Sequence, residues 1–109
     1  MRMGVKILLL IEVPNGLFDP NRDYDEMVLR STQLYLNDQL RARGHLMLND
    51  ALDQLGVNRT KMGYRLGWLM QEGKPLNHQW VELRIANNPG IDDHLEVEVL
   101  TAGDIWDLL

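Results

Sequence analysis

The chain has 109 residues, 45% of them hydrophobic and 25% charged, with no cysteine and a formal net charge of −5. That length suits a single domain over residues 1–109 with a core of its own, and the composition excludes a chain disordered throughout. The lack of cysteine excludes disulfides, thiolate metal sites and a cysteine nucleophile, and the negative balance argues against indiscriminate binding to polyphosphate.

The first expected element is a strand over residues 5–13. Its unbroken apolar run, Ile7 to Ile11, is bounded by Lys6 and Glu12. A signal h-region needs about 7 to 15 apolar residues and a membrane span about 20. The run therefore reads as a buried strand, closed by the turn signal Pro14-Asn15-Gly16. After a loop around Asp19-Pro20, Asp23 and Glu26 have the form of an N-cap and capping box for a helix from Tyr24 to Arg43, stopped by Gly44. Tyr24, Met27, Val28, Leu34 and Tyr35 lie on one side of this helix, and Leu29, Leu36 and Leu40 lie well around from them. Two apolar faces imply contacts on two sides and a central position. A second helix is expected over Leu46–Leu55, with Leu48, Ala51, Leu52 and Leu55 on one face and Gly56 at its end.

These two segments share a pattern: Leu36-Asn37-Asp38-x-Leu40-x-x-x-Gly44 echoes Leu48-Asn49-Asp50-x-Leu52-x-x-x-Gly56. The offset of twelve residues is too short for a solenoid repeat, and the simplest reading is two helices ended by the same capping chemistry. A third helix is expected from near Thr60 to before Gly73. Gly63 and Gly67 would each cost it about 1 kcal/mol against alanine, so they require a closely packed neighbour or a segment that is not helical throughout.

The C-terminal third alternates. Val81, Leu83 and Ile85 interleave with Trp80, Glu82 and Arg84, and Leu95, Val97 and Val99 with His94, Glu96 and Glu98, which is the pattern of half-buried strands. Asn87-Asn88-Pro89-Gly90 is loop chemistry, and Thr101 to Asp104 reads as a tight turn into a last strand, Ile105–Leu109. The fold expected is α+β: three helices, with a helix-turn-helix-like middle, packed on a small antiparallel C-terminal meander that the N-terminal strand extends.

Charge is unevenly spread. From Gln39 to Gln71, Arg41, Arg43, Arg59, Lys61 and Arg65 face only Asp50 and Asp53, a net of +3. From Pro75 onward only Arg84 opposes Glu82, Asp92, Asp93, Glu96, Glu98, Asp104 and Asp107, a net of −6. The helix-turn-helix reading of residues 48–70 puts Asn58, Arg59, Thr60, Lys61 and Arg65 on a recognition helix, where arginine and lysine reach phosphates or guanine and asparagine reads adenine. Against it stand Ala51, one place from the usual small-residue position, Arg65 at a normally buried position, and the two glycines. A packing unit with no DNA role is the plainer reading. Trp80, Glu82, Glu96 and Glu98 are the candidates for a protein partner, although at least two of Trp68, Trp80 and Trp106 are expected in the core.

Catalytic signals are thin. His45, His78 and His94 lie in separate elements without helical-spacing partners, Asp92-Asp93-His94 reads as a solvated loop, Ser31 sits within a helix, and Gly63-x-x-x-Gly67 lacks a phosphate loop's lysine. No cofactor, metal site or catalytic residue is assigned.

The run Leu36 to Asp50, followed by Leu55-Gly56, Arg59-Thr60 and Gly67-Trp68 and closed by Leu95-Glu96-Val97-Glu98-Val99 and Gly103-Asp104-Ile105, resembles small uncharacterised proteins encoded by bacteriophages and prophages. The resemblance covers residues 34–109 and leaves the N-terminal third out. It implies a phage context and transfers no catalytic or binding residue. The expectation is a phage-type accessory protein that binds another protein, of host or phage, without catalysis, in the cytoplasm (the host's, for a phage-encoded chain) and away from membrane. The alternatives are a helix-turn-helix regulator of duplex DNA and a minor virion component. A homodimer through an exposed strand edge or the Gly63/Gly67 face is a further option.

Overall fold

The computed structural model describes residues 4–12, 18, 22–86 and 94–109. The loop chemistry read at residues 14–17, 19–21 and 87–93, including Asp92 and Asp93, lies outside the described residues.

Strand β1 is Val5–Glu12, and helix α1 runs Arg22–Arg43. Gly44 ends α1 with φ +84°, a left-handed conformation that glycine adopts without a Cβ clash. A short strand β2, His45–Met47, leads directly into helix α2, Leu48–Leu55. The Asp50 carboxylate accepts the Met47 amide at 2.9 Å, satisfying a donor at the helix start. Two strands follow, β3 at Gly67–Gln71 and β4 at Lys74–Pro75. Strand β5 is Glu82–Ile85 and β6 is His94–Thr101.

The architecture corrects the expectation of three helices on one C-terminal meander. Among the described residues the chain is α+β with two helices and two three-stranded antiparallel sheets, ordered β1-β6-β5 and β2-β3-β4. The expected third helix is a single 3-10 turn at Met62–Tyr64 followed by β3. Its glycines explain why. A Cβ on Gly67 would collide with the Leu46 carbonyl oxygen across the β2–β3 ladder, and one on Gly63 with the Asn49 side-chain amide. Backbone and amide approach there too closely for any side chain. The expected last strand is also absent, since residues 106–108 form a 3-10 turn. In place of a meander, β6 sits centrally and pairs with β1 and β5 at its two edges.

The two sheets meet where β6 ends. Ala102 N donates to Gly67 O at 2.8 Å, Gly67 N to Gly103 O at 3.1 Å, and Ile105 N to Arg65 O at 2.9 Å. Trp68 fills this junction, fully buried, and its indole donates to the Leu100 carbonyl at 3.0 Å. Leu36 and Leu40 of α1, Leu48, Leu52 and Leu55 of α2, and Leu95, Val97 and Val99 of β6 form the surrounding core. Truncating a buried side chain of Trp68's size costs about 3–5 kcal/mol. Of the three tryptophans Trp68 alone is fully buried: Trp80 is half-buried and Trp106 is exposed.

The Leu-Asn-Asp echo has a geometric counterpart beyond its capping glycines. The Asn37 amide accepts from Val81 N at 2.8 Å and donates to Val81 O at 3.1 Å. The Asn49 amide does the same to Thr60, accepting at 2.9 Å and donating at 3.0 Å. Each asparagine pairs with the N–H and C=O of one distant residue as a neighbouring strand would, and each tethers an irregular segment to its helix.

Candidate interaction surfaces

The residues assigned to a recognition helix lie in the loop after α2 and in the 3-10 turn. Asn58, Arg59, Thr60, Lys61 and Arg65 are all exposed. Thr60 is nevertheless pinned, by Asn49 through its backbone and by Gly63 N, which donates to its hydroxyl at 3.0 Å. Arg59 forms a two-pronged pair with Asp53, with Nε 3.0 Å from Oδ1. Hydrogen bonding by Arg59 holds the Asp53 carboxyl below the usual carboxylate range, and Asp53 followed by Tyr64 raises the guanidinium further above its already high value. Arg65 donates to Asp104 at 2.9 Å and lies 3.7 Å from Asp107. No helix is formed there to enter a groove, and both arginines are matched by carboxylates.

The same matching dissolves the charge polarity read along the chain. Arg41 pairs with Asp38 at 3.0 Å and Arg43 with Asp50 at 3.8 Å. Every arginine between Gln39 and Gln71 thus has an acidic neighbour, and Lys61 alone among those cations has none within the described residues. Arg65 ties the basic middle to the acidic tail.

The partner-binding candidates divide into two places. Trp80 sits beside α1 with the Arg41 guanidinium 4.9 Å above its ring. Glu82, Glu96 and Glu98 lie on the outer face of the β1-β6-β5 sheet. Glu82 pairs with Arg84 at 2.6 Å, Glu96 with His94 at 3.2 Å, and Glu98 with Lys6 at 3.6 Å. Leu8 and Leu10 of β1 stand on this same face, 54% and 64% exposed.

Helix α1 carries a second exposed apolar surface. Leu29, Leu36 and Leu40 face the core, but Tyr24, Met27, Leu34 and Tyr35 are exposed, Met27 and Leu34 by 61% and 62%. At 100° per residue these four, with Ser31 and Asp38, fall on one stripe along most of the helix. The expectation of apolar contacts on two sides of α1 meets only one of them among the described residues. The sequence had the signal, since the two faces were legible, but it did not say that one of them stays open.

Histidines remain apart: His45 is on β2, His78 in a turn at residues 76–78, and His94 at the start of β6. Among the described residues no group of three His, Asp or Glu side chains is arranged to hold a metal ion. No helix there is long and apolar enough to cross a membrane.

The model of a family of unknown function (DUF6353) matches residues 11–103. The chain belongs to this family. In this DUF6353 member the match takes in both helices, β2 to β6 and the junction at Trp68, and it begins near the end of β1. No curated protein and no solved structure matches the chain.

Proposed function

We propose that the protein is a small accessory protein that works by binding another protein, and that the open stripe of α1 is the contact face. The observation that supports this most is the placement of Tyr24, Met27, Leu34 and Tyr35 together on the solvent side of a helix whose other side is fully engaged. Single exposed apolar residues are ordinary on a protein surface, whereas four of them on one stripe of a helix, broken only by the small Ser31, are characteristic of an interface. Tyrosine and methionine are also residue types enriched in such contacts. The partner best suited is one with an apolar groove that accepts a helix face, here with anchors at i, i+3, i+10 and i+11. Trp80 under Arg41, at the other end of α1, extends the same side of the reading toward a rim where aromatic and charged groups meet. The phage setting rests on the sequence resemblance over residues 34–109.

The test is affinity capture from the native host with wild-type protein and with Met27→Glu/Leu34→Glu. Both substitutions lie on the exposed side, so circular dichroism should be unchanged. A protein retained by the wild type and lost by the variant is the expected result. Identical captured sets from both proteins would remove α1 as the contact face.

A further inference from the structure

We infer that β1 is a self-complementary edge and that two copies of this chain join there, antiparallel about Leu9, into one six-stranded sheet. The sheet ends differently at its two sides. On the β5 side, α1 supplies side-chain amides to the edge: Gln33 accepts Leu83 N at 2.9 Å, and Asn37 takes both polar groups of Val81. On the β1 side no described residue does this. Among the described residues β1 pairs with β6 alone, over eight residues, and an open groove separates Leu10–Glu12 from the loop at Gly56–Asn58.

The direction of the unpaired groups follows from the ladder. Ala86 N donates to Glu96 O at 2.8 Å, so Glu96 turns its backbone toward β5. Backbone direction alternates along a strand, so Leu95, Val97 and Val99 turn theirs toward β1, where they face Ile11, Leu9 and Ile7. Lys6, Leu8, Leu10 and Glu12 therefore point their amides and carbonyls to the free edge. Leu83 N, which reaches away from β6 to Gln33, fits the same alternation.

The sequence of that edge reads the same in both directions. Lys6-Ile7-Leu8-Leu9-Leu10-Ile11-Glu12 is symmetric about Leu9 in apolar character, with opposite charges at its ends. Pairing two copies antiparallel with Leu9 on the twofold axis sets Lys6 against Glu12 twice, Leu8 against Leu10 twice, and Ile7 against Ile11 twice. The residues whose backbone groups are free are then the ones that meet in hydrogen-bonded pairs, for about eight new main-chain bonds. Faces also match: Leu8 and Leu10 join their counterparts on the outer side, and Ile7, Leu9 and Ile11 continue the inner side. Shifting the register by two residues keeps the faces but sets Lys6 and Glu12 against leucine or beyond the partner strand. Opposite charges directly across a ladder stabilise it and like charges oppose it. Glu12 is exposed, and among the described residues no cation lies within ion-pair distance of it. Among the described residues Lys6 has only the 3.6 Å contact to Glu98. A closed twofold pairing of this kind also removes a long apolar edge that would otherwise recruit strands without limit.

Sedimentation equilibrium across a concentration series tests this with wild type, Lys6→Glu, Glu12→Lys and Leu10→Pro. Wild type should reach a mass of two chains. Each charge reversal should weaken self-association about tenfold by making both terminal pairs repulsive. An equimolar mixture of Lys6→Glu with Glu12→Lys should restore association as a heterodimer, because each pair is then opposite again. Leu10→Pro removes an amide that points to the free edge and spares the β6 ladder, so it should stay folded and monomeric. A wild type that remains monomeric throughout overturns the inference and leaves the edge to another chain's strand. A dimer insensitive to both reversals, or a mixture that does not associate better than its components, overturns it equally. The α1 face is separate from this edge, and its capture test reads independently.

Discussion

Single residues decide between the two readings of residues 60–73. In a helix, alanine at Gly67 would be favourable by about 1 kcal/mol. In the strand that forms, its Cβ meets the Leu46 carbonyl oxygen, a backbone atom that cannot swing aside. Overpacking of that kind costs about 1–3 kcal/mol. Gly67→Ala should therefore lower the denaturation midpoint, and a rise would restore the helical reading. Asp53 offers a second test at this scale. Arg59 depresses its pKa, so the pair contributes above the ordinary carboxylate range and fades as pH falls through the depressed value. A carbon-detected titration should find Asp53 below the usual carboxylate range, and Arg59→Gln should bring it back into that range. No change on removing Arg59 would break the assignment. As the pair is fully exposed, its effect on overall stability should be small.

At the scale of elements, the amphipathic segments were legible and the short strands were not. The α1 and α2 helices announce themselves by leucine spacing and by Gly44 and Gly56, and β1, β5 and β6 by apolar runs or alternation. Strand β2 has three residues and β4 two, too few for a period to register. Strand β3 reads Gly-Trp-Leu-Met-Gln, whose apolar content also fits a helix. The signal that separates them was the turn after β3. Glu72 and Gly73 have φ of +52° and +79°, and Gln71 pairs with Lys74 across them. That is a two-residue hairpin with both central residues left-handed, the setting that favours Asn-Gly. Glutamate obscures it. Glu72→Asn should raise stability by about 0.5–1 kcal/mol, read as a higher melting temperature, and a loss would argue against the hairpin. Among the interaction residues, the α1 stripe is visible as a second apolar face, but the leucine and tyrosine spacing does not tell a buried face from an open one. The period of two in β5 and β6 puts their acidic residues on one face, as the register of the two strands has them. The recognition helix failed because its sequence cues, a glycine after α2 and basic residues beyond it, equally describe a loop pinned by Asn49.

Over the whole molecule, charge that looks segregated along the chain is paired in space, with arginines 41, 43, 59 and 65 each beside a carboxylate. What remains distinctive is apolar surface left uncovered on α1, outside a core built on Trp68 and the leucines of both helices. On the proposed function, this surface meets a protein partner. The most direct measurement is site-specific photo-crosslinking in the native host, with the probe at position 27 on the stripe and, separately, at position 61 in the exposed loop. A discrete protein adduct from position 27 and none from position 61 is the expected result. No adduct at position 27, or the same adducts from both positions, would contradict it.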